Sequence, residues 1–139
     1  MIDAASWTEL KGSHPALGTL DEKTADIARD ELDPGEAISV AEAVTVDGKP
    51  GVVLMSKRRV LAFWKTTMLV FFKLPTVQEF NLSQLTEVQL EGSSLRLRAV
   101  ADPKDEDAGW EDNTFVFASA EAAERFRSYV QASRGTMAD

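Results

Sequence analysis

The sequence predicts a mainly β domain with helices at both ends. Seven antiparallel strands form a partly open barrel, a C-terminal helix caps it, and an accessory N-terminal helix precedes it. Three observations carry this reading. From Glu36 to Phe117 apolar residues recur with a period of two, in short runs divided by turn residues. Some of those runs are apolar on both faces, which suits strands inside a closed or sandwiched sheet. Seven short strands also need one end covered, and the segment after the last strand has the amphipathic stripe to cover it.

The elements follow in order. Ser6-Trp7-Thr8-Glu9 has capping-box spacing and opens a short helix that Gly12 ends. Thr19-Leu20-Asp21-Glu22 repeats the spacing and opens a second helix to about Leu32, closed by Asp33-Pro34-Gly35. Its stripe of Leu20, Ile27, Ala28 and Leu32 is thin, so residues 1–33 are expected to lie on the domain as an accessory extension. Strands are expected at 40–46, 51–55, 59–64, 77–82, 86–91, 95–100 and 114–117, with Asp47-Gly48-Lys49-Pro50 as the first turn and an acidic loop at 102–112. Ser119 caps a last helix, with Ala123, Phe126 and Val130 on one face, and Arg134-Gly135 marks its end. The domain thus spans 34–134, and 135–139 is expected to be a frayed tail.

Composition supports one packed domain and narrows its chemistry. Of 139 residues, 44% are hydrophobic, enough for a core without metals or disulfides. There is no cysteine, which removes thiolate nucleophiles and Cys-based zinc sites, and one histidine, His14, precedes a proline. The longest apolar runs, 60–64 and 68–72, are far too short to span a membrane, and Asp3 and Glu9 spoil a signal-peptide reading. A cytoplasmic protein is expected. The net charge of −8 is unevenly distributed: residues 1–47 carry −8, residues 48–101 carry +5 and residues 102–139 carry −5. Overall acidity argues against nucleic-acid binding.

From Pro34 to Arg134 the chain resembles the bacterial pleckstrin-homology families, especially the YokE-like type. An acidic start, Pro34-Gly35-Glu36, is followed by the strand Gly51-Val52-Val53-Leu54-Met55-Ser56. That strand runs straight into a basic cluster, Lys57-Arg58-Arg59, and then the apolar Val60-Leu61-Ala62-Phe63. The segment Glu79-Phe80-Asn81-Leu82-Ser83-Gln84-Leu85-Thr86-Glu87-Val88 and the aromatic strand and helix from Phe115 to Val130 complete the likeness. The resemblance implies two nearly orthogonal sheets plugged by the C-terminal helix, and no enzymatic activity. The chain departs from the pattern after the third strand, where a long apolar stretch, 65–75, replaces a short glycine-containing turn.

Candidate functional residues fall in two groups. Lys57, Arg58 and Arg59, with Lys65 and Lys73, could contact an anion or an anionic lipid headgroup, although such a cluster is ordinarily a solvated turn in which Arg59 pairs with a nearby carboxylate. Met68, Leu69, Val70, Phe71 and Phe72 form either a buried strand, a membrane-touching loop or a protein contact. A protein partner or self-association is expected over lipid, because anionic membranes repel an acidic chain. No nucleophile has an evident base, so no catalytic residues are expected. The acidic loop misses calcium-loop spacing at Gly109 and Trp110, and neither a metal nor a cofactor is expected.

Overall fold

The computed structural model describes residues 1–68, 72–100 and 110–138. In chain order it contains α1 (Ala4–Ser13), a 3-10 turn (Pro15–Thr19), α2 (Glu22–Glu31), β1 (Ile38–Val46), β2 (Lys49–Ser56), β3 (Arg59–Met68) and β4 (Phe72–Asn81). A second 3-10 turn (Leu82–Gln84), β5 (Leu85–Glu91), β6 (Ser94–Val100), β7 (Trp110–Phe117) and α3 (Ala120–Ala138) follow. All seven strands join one antiparallel sheet in the order β4-β3-β2-β1-β7-β6-β5.

Local chemistry fixes the turns. Between β1 and β2, Asp47 and Gly48 both have positive φ (51° and 76°), the mirror-image turn whose twist matches a two-residue hairpin. Gly51 answers a different need. A Cβ there would lie 2.6 Å from the Phe63 carbonyl oxygen, so β2 can pass β3 this closely only without a side chain.

The sheet curls on itself, leaving β4 and β5 as unpaired edges of a partly open barrel. Side chains bridge from β4 to β7 where the ladder does not. The Gln78 amide donates to Glu111 (3.0 Å) and accepts from Asn113 (2.8 Å), and Phe80 meets Phe115 edge-on at 6.1 Å between ring centroids. Inside, Val53, Met55, Val60, Leu95, Leu97 and Phe115 pack with the apolar face of α3, where Ala123, Phe126 and Val130 are fully buried. Arg125 on α3 reaches Glu42 on β1 (2.9 Å), and Arg134 donates to the Leu85 carbonyl (3.2 Å).

A second core lies on the outer face of the same strands. Val52, Leu54, Leu61 and Phe63 alternate with the inward residues of β2 and β3, and Ile2, Trp7, Leu17, Ala28 and Leu32 cover them. The double-sided apolarity of these strands therefore reflects burial under the barrel core on one side and the N-terminal extension on the other.

Several boundaries differ from the sequence-based expectation. The helices begin on aspartates: Asp3 accepts from the Ser6 N–H (2.8 Å) and Asp21 from the Thr24 N–H (2.9 Å), whereas Thr19 belongs to the preceding 3-10 turn. A carboxylate is the stronger acceptor for the free N–H groups of a first turn. β4 begins at Phe72 instead of 77, because an edge strand tolerates Pro75. β7 takes in 110–112 of the expected acidic loop, and Asp112 pairs across the ladder with Arg96 (2.6 Å); residues 102–109 lie outside the described residues. Helix α3 runs through Gly135 to Ala138, so the expected frayed tail is helical up to that point.

Phe126 is fully buried and its ring lies 5.5 Å from Phe117. Its replacement by alanine should cost about 3–5 kcal/mol in urea denaturation. A loss below about 1 kcal/mol would mean that α3 does not close the barrel.

Candidate functional site

The basic turn is built by the β2–β3 connection. Arg59 opens β3 on the same face as Leu61 and Phe63, which turns its side chain toward the N-terminal extension. Its side chain is only 8% exposed. Nε and Nη2 donate to the two Glu36 carboxylate oxygens (2.9 and 2.7 Å), Nη2 also to the Glu31 carbonyl (2.8 Å), and Nη1 to Glu79 (3.3 Å). One cation thus joins the end of α2, the linker after it, β3 and β4. Burial on its own would raise the Glu36 pKa. The Arg59 hydrogen bonds, the Asp33 N–H and the Ser56 hydroxyl outweigh it and bring the group down to about 2. Arg59 is raised in turn, chiefly by its hydrogen bonds to Glu36.

The other predicted bases are not gathered with it. Arg58 pairs with Asp33, and both side chains are more than half exposed, so that bridge contributes little. Lys65 pairs with Asp21 and brings its pKa to about 2, with help from the Thr24 N–H. Lys57 is exposed and has no ion-pair partner among the described residues. Lys73 stands opposite Thr67 in the β3–β4 register. Since β3 has ten residues, Lys57 and Arg58 are separated from the far end of the β3–β4 hairpin by about 30 Å. Three of the five bases therefore bind carboxylates of the first 36 residues, and no single surface holds all five.

The first and last residues of the apolar run, Met68 and Phe72, form the last described pair of β3 and β4. The β2–β3 pairing stops at Gly51 opposite Trp64, while β3 and β4 continue to pair from Lys65–Pro75 out to Met68–Phe72. The β3–β4 pairing thus extends about 13 Å past the last β2–β3 pair. Met68 and Phe72 face each other in register, and Leu69, Val70 and Phe71 lie outside the described residues. Leu74, on the ribbon, is 47% exposed.

Sequence reasoning missed a cleft of about 630 Å3 where the extension meets the β1–β2 turn, lined by Leu20, Asp21, Lys49, Pro50, Trp64 and Lys65 among others. Its walls come from residues far apart in the chain, and only the bases Lys49 and Lys65 offered a signal. Among the described residues no group of three His, Asp or Glu side chains is arranged to hold a metal, and no described helix is long and apolar enough to cross a membrane. Compared with known proteins, the chain matches no family model and no curated protein sequence.

Glu36→Gln leaves Arg59 only the half-exposed Glu79 carboxylate and the Glu31 carbonyl and should destabilise the protein by about 1.5–3 kcal/mol, whereas Glu36→Leu combined with Arg59→Met should recover most of that loss. The sign with pH follows from the lowered pKa of Glu36. Its contribution is complete above the ordinary value of 4.5 and disappears as pH falls toward about 2. Urea denaturation across that interval should show a flatter acid dependence for Glu36→Gln than for the wild type. Equal slopes would detach Glu36 from the stability of the fold.

Proposed function

We propose that the chain is a non-enzymatic, cytoplasmic interaction module of the bacterial pleckstrin-homology kind, resembling the YokE-like type. It acts by contact with a protein partner or with a second copy of itself. The observation that carries this reading is the β3–β4 pairing, which continues beyond the last β2–β3 pair out to Met68 and Phe72, the two ends of the apolar run in the sequence. A two-stranded ribbon gains little stability by itself, so an apolar run at its end is better explained by a surface it meets than by the fold. Acidic segments at 1–47 and 102–139 on a neighbouring copy would complement Lys65 and Lys73 around that apolar centre.

The alternative is peripheral binding of anionic lipid through the basic turn and the apolar hairpin together. It draws less support from the geometry, because Lys57 and Arg58 lie a full strand length from residues 68–72 and Arg58 is already paired.

Light scattering across concentrations should show self-association of the wild type, and the double substitution Phe71→Ser, Phe72→Ser should lower the mass while keeping the β-rich circular dichroism. Unfolding of the double variant would make the segment part of the core. A wild type that stays monomeric yet sediments with anionic vesicles in a salt-dependent way would favour the lipid reading.

A further inference from the structure

The N-terminal extension joins the barrel through one short turn, and the cores on the two faces of β2 and β3 share no residue. Opening that turn would uncover Val52, Leu54, Leu61 and Phe63 while the core closed by α3 stayed buried.

The turn is Asp33-Pro34-Gly35-Glu36. The Glu36 N–H donates to the Asp33 carbonyl (3.0 Å), and the Asp33 N–H donates to the Glu36 carboxylate (3.1 Å). Proline in second place and glycine at a φ of 80° in third are the marks of a type II turn. Nothing lies within 4 Å of where a Gly35 Cβ would stand, so the demand for glycine is one of backbone conformation alone. Asp33, Pro34 and Gly35 are exposed, so straightening the turn itself uncovers no core.

The ionic contacts divide at the same place. Glu36 holds Arg59 of its own barrel, whereas Asp21 and Asp33, on the other side of Gly35, hold Lys65 and Arg58. A straightened turn would carry Asp21, Asp33 and the apolar residues from Ile2 to Leu32 away together, along with the Glu31 carbonyl that accepts from Arg59. The four large apolar side chains left behind, flanked by Arg58 and Lys65, form a patch that a soluble protein seldom leaves bare. The surface that fits them is the extension of a second copy, since a single chain already shows that fit in full.

We propose that the Asp33–Glu36 turn is a hinge through which residues 1–33 pass to the same face of a second copy, giving a two-fold exchanged dimer. The left-handed Gly35 holds the turn closed, and a residue that disfavours positive φ shifts the chain to the exchanged form. This surface is separate from the β3–β4 pairing beyond β2, so the two contacts stand or fall independently.

Natural and nitrogen-15 chains, refolded together from urea and treated with a carbodiimide, read the exchange directly. The reagent joins the contacting Asp21 and Lys65 without a spacer, and mass spectrometry shows whether both come from one chain. In the wild type at micromolar concentration the cross-link is expected within one chain. Gly35→Val should lower the concentration of half-exchange by about a hundredfold, roughly tenfold for each of the two turns a dimer opens. Gly35→Asn, which tolerates the left-handed region, should behave like the wild type. Gly35→Ala repeats the test with a smaller side chain in case Gly35→Val does not fold. Adding Phe71→Ser and Phe72→Ser should leave the exchanged fraction unchanged, whereas it would abolish a dimer made by the hairpin. Cross-links confined to one chain in the Gly35→Val and Gly35→Ala variants at millimolar concentration would overturn the proposal. So would a wild type or Gly35→Asn that exchanges as readily as Gly35→Val, or loss of the exchanged form on adding the two serines.

Discussion

β2 and β3 present large apolar side chains on both faces, and a sheet built that way cannot leave either face to water. Most of the architecture follows from covering them twice. Curling the sheet into a barrel and closing it with α3 buries Val53, Met55, Val60 and Ala62. Laying the N-terminal extension across the outside buries Val52, Leu54, Leu61 and Phe63. At roughly 1.5–3 kcal/mol for each large side chain taken from water, the outer set alone is comparable to the net stability of a small domain. The first 33 residues thus supply one of the two covers of β2 and β3.

Apolar burial holds the extension down but does not orient it, since hydrophobic contact is nearly non-directional. Charge supplies the direction. The acidic first third of the chain and its basic middle meet through Asp21–Lys65, Asp33–Arg58 and Glu36–Arg59, at two separate points along β3. Only the last of these is buried, and it has the two-pronged geometry that fixes a guanidinium relative to a carboxylate. Part of the uneven charge of the sequence is thus paired within the molecule, and in the run Lys57-Arg58-Arg59 two of the three bases already hold carboxylates.

The strands were legible in the sequence because burial on one or both faces imprints period two or continuous apolarity, and Phe126 and Val130 announced the closing helix through their spacing. Helix starts were misplaced because Thr19 and Ser6 compete on paper with Asp21 and Asp3, and only the fold decides which side chain reaches the free N–H groups. The β3–β4 ribbon was shortened because Lys65-Thr66-Thr67 and Pro75 read as connection, while an edge hairpin accepts them. The partner of Arg59 was foreseeable as a carboxylate but not as Glu36, which lies 23 residues away. The cleft was not legible, since four separate segments meet to form it.

The two ends of β3 also divide the labour of the molecule. At the Arg59 end, the ionic groups of the extension and the sheet satisfy one another, and chemistry is used up in holding the chain together. Toward Trp64 and Lys65 the β2–β3 pairing ends at Gly51, while β3 and β4 go on pairing as far as Met68 and Phe72. The contact proposed above for the ribbon therefore lies at the end of β3 where fewer strands share the ladder.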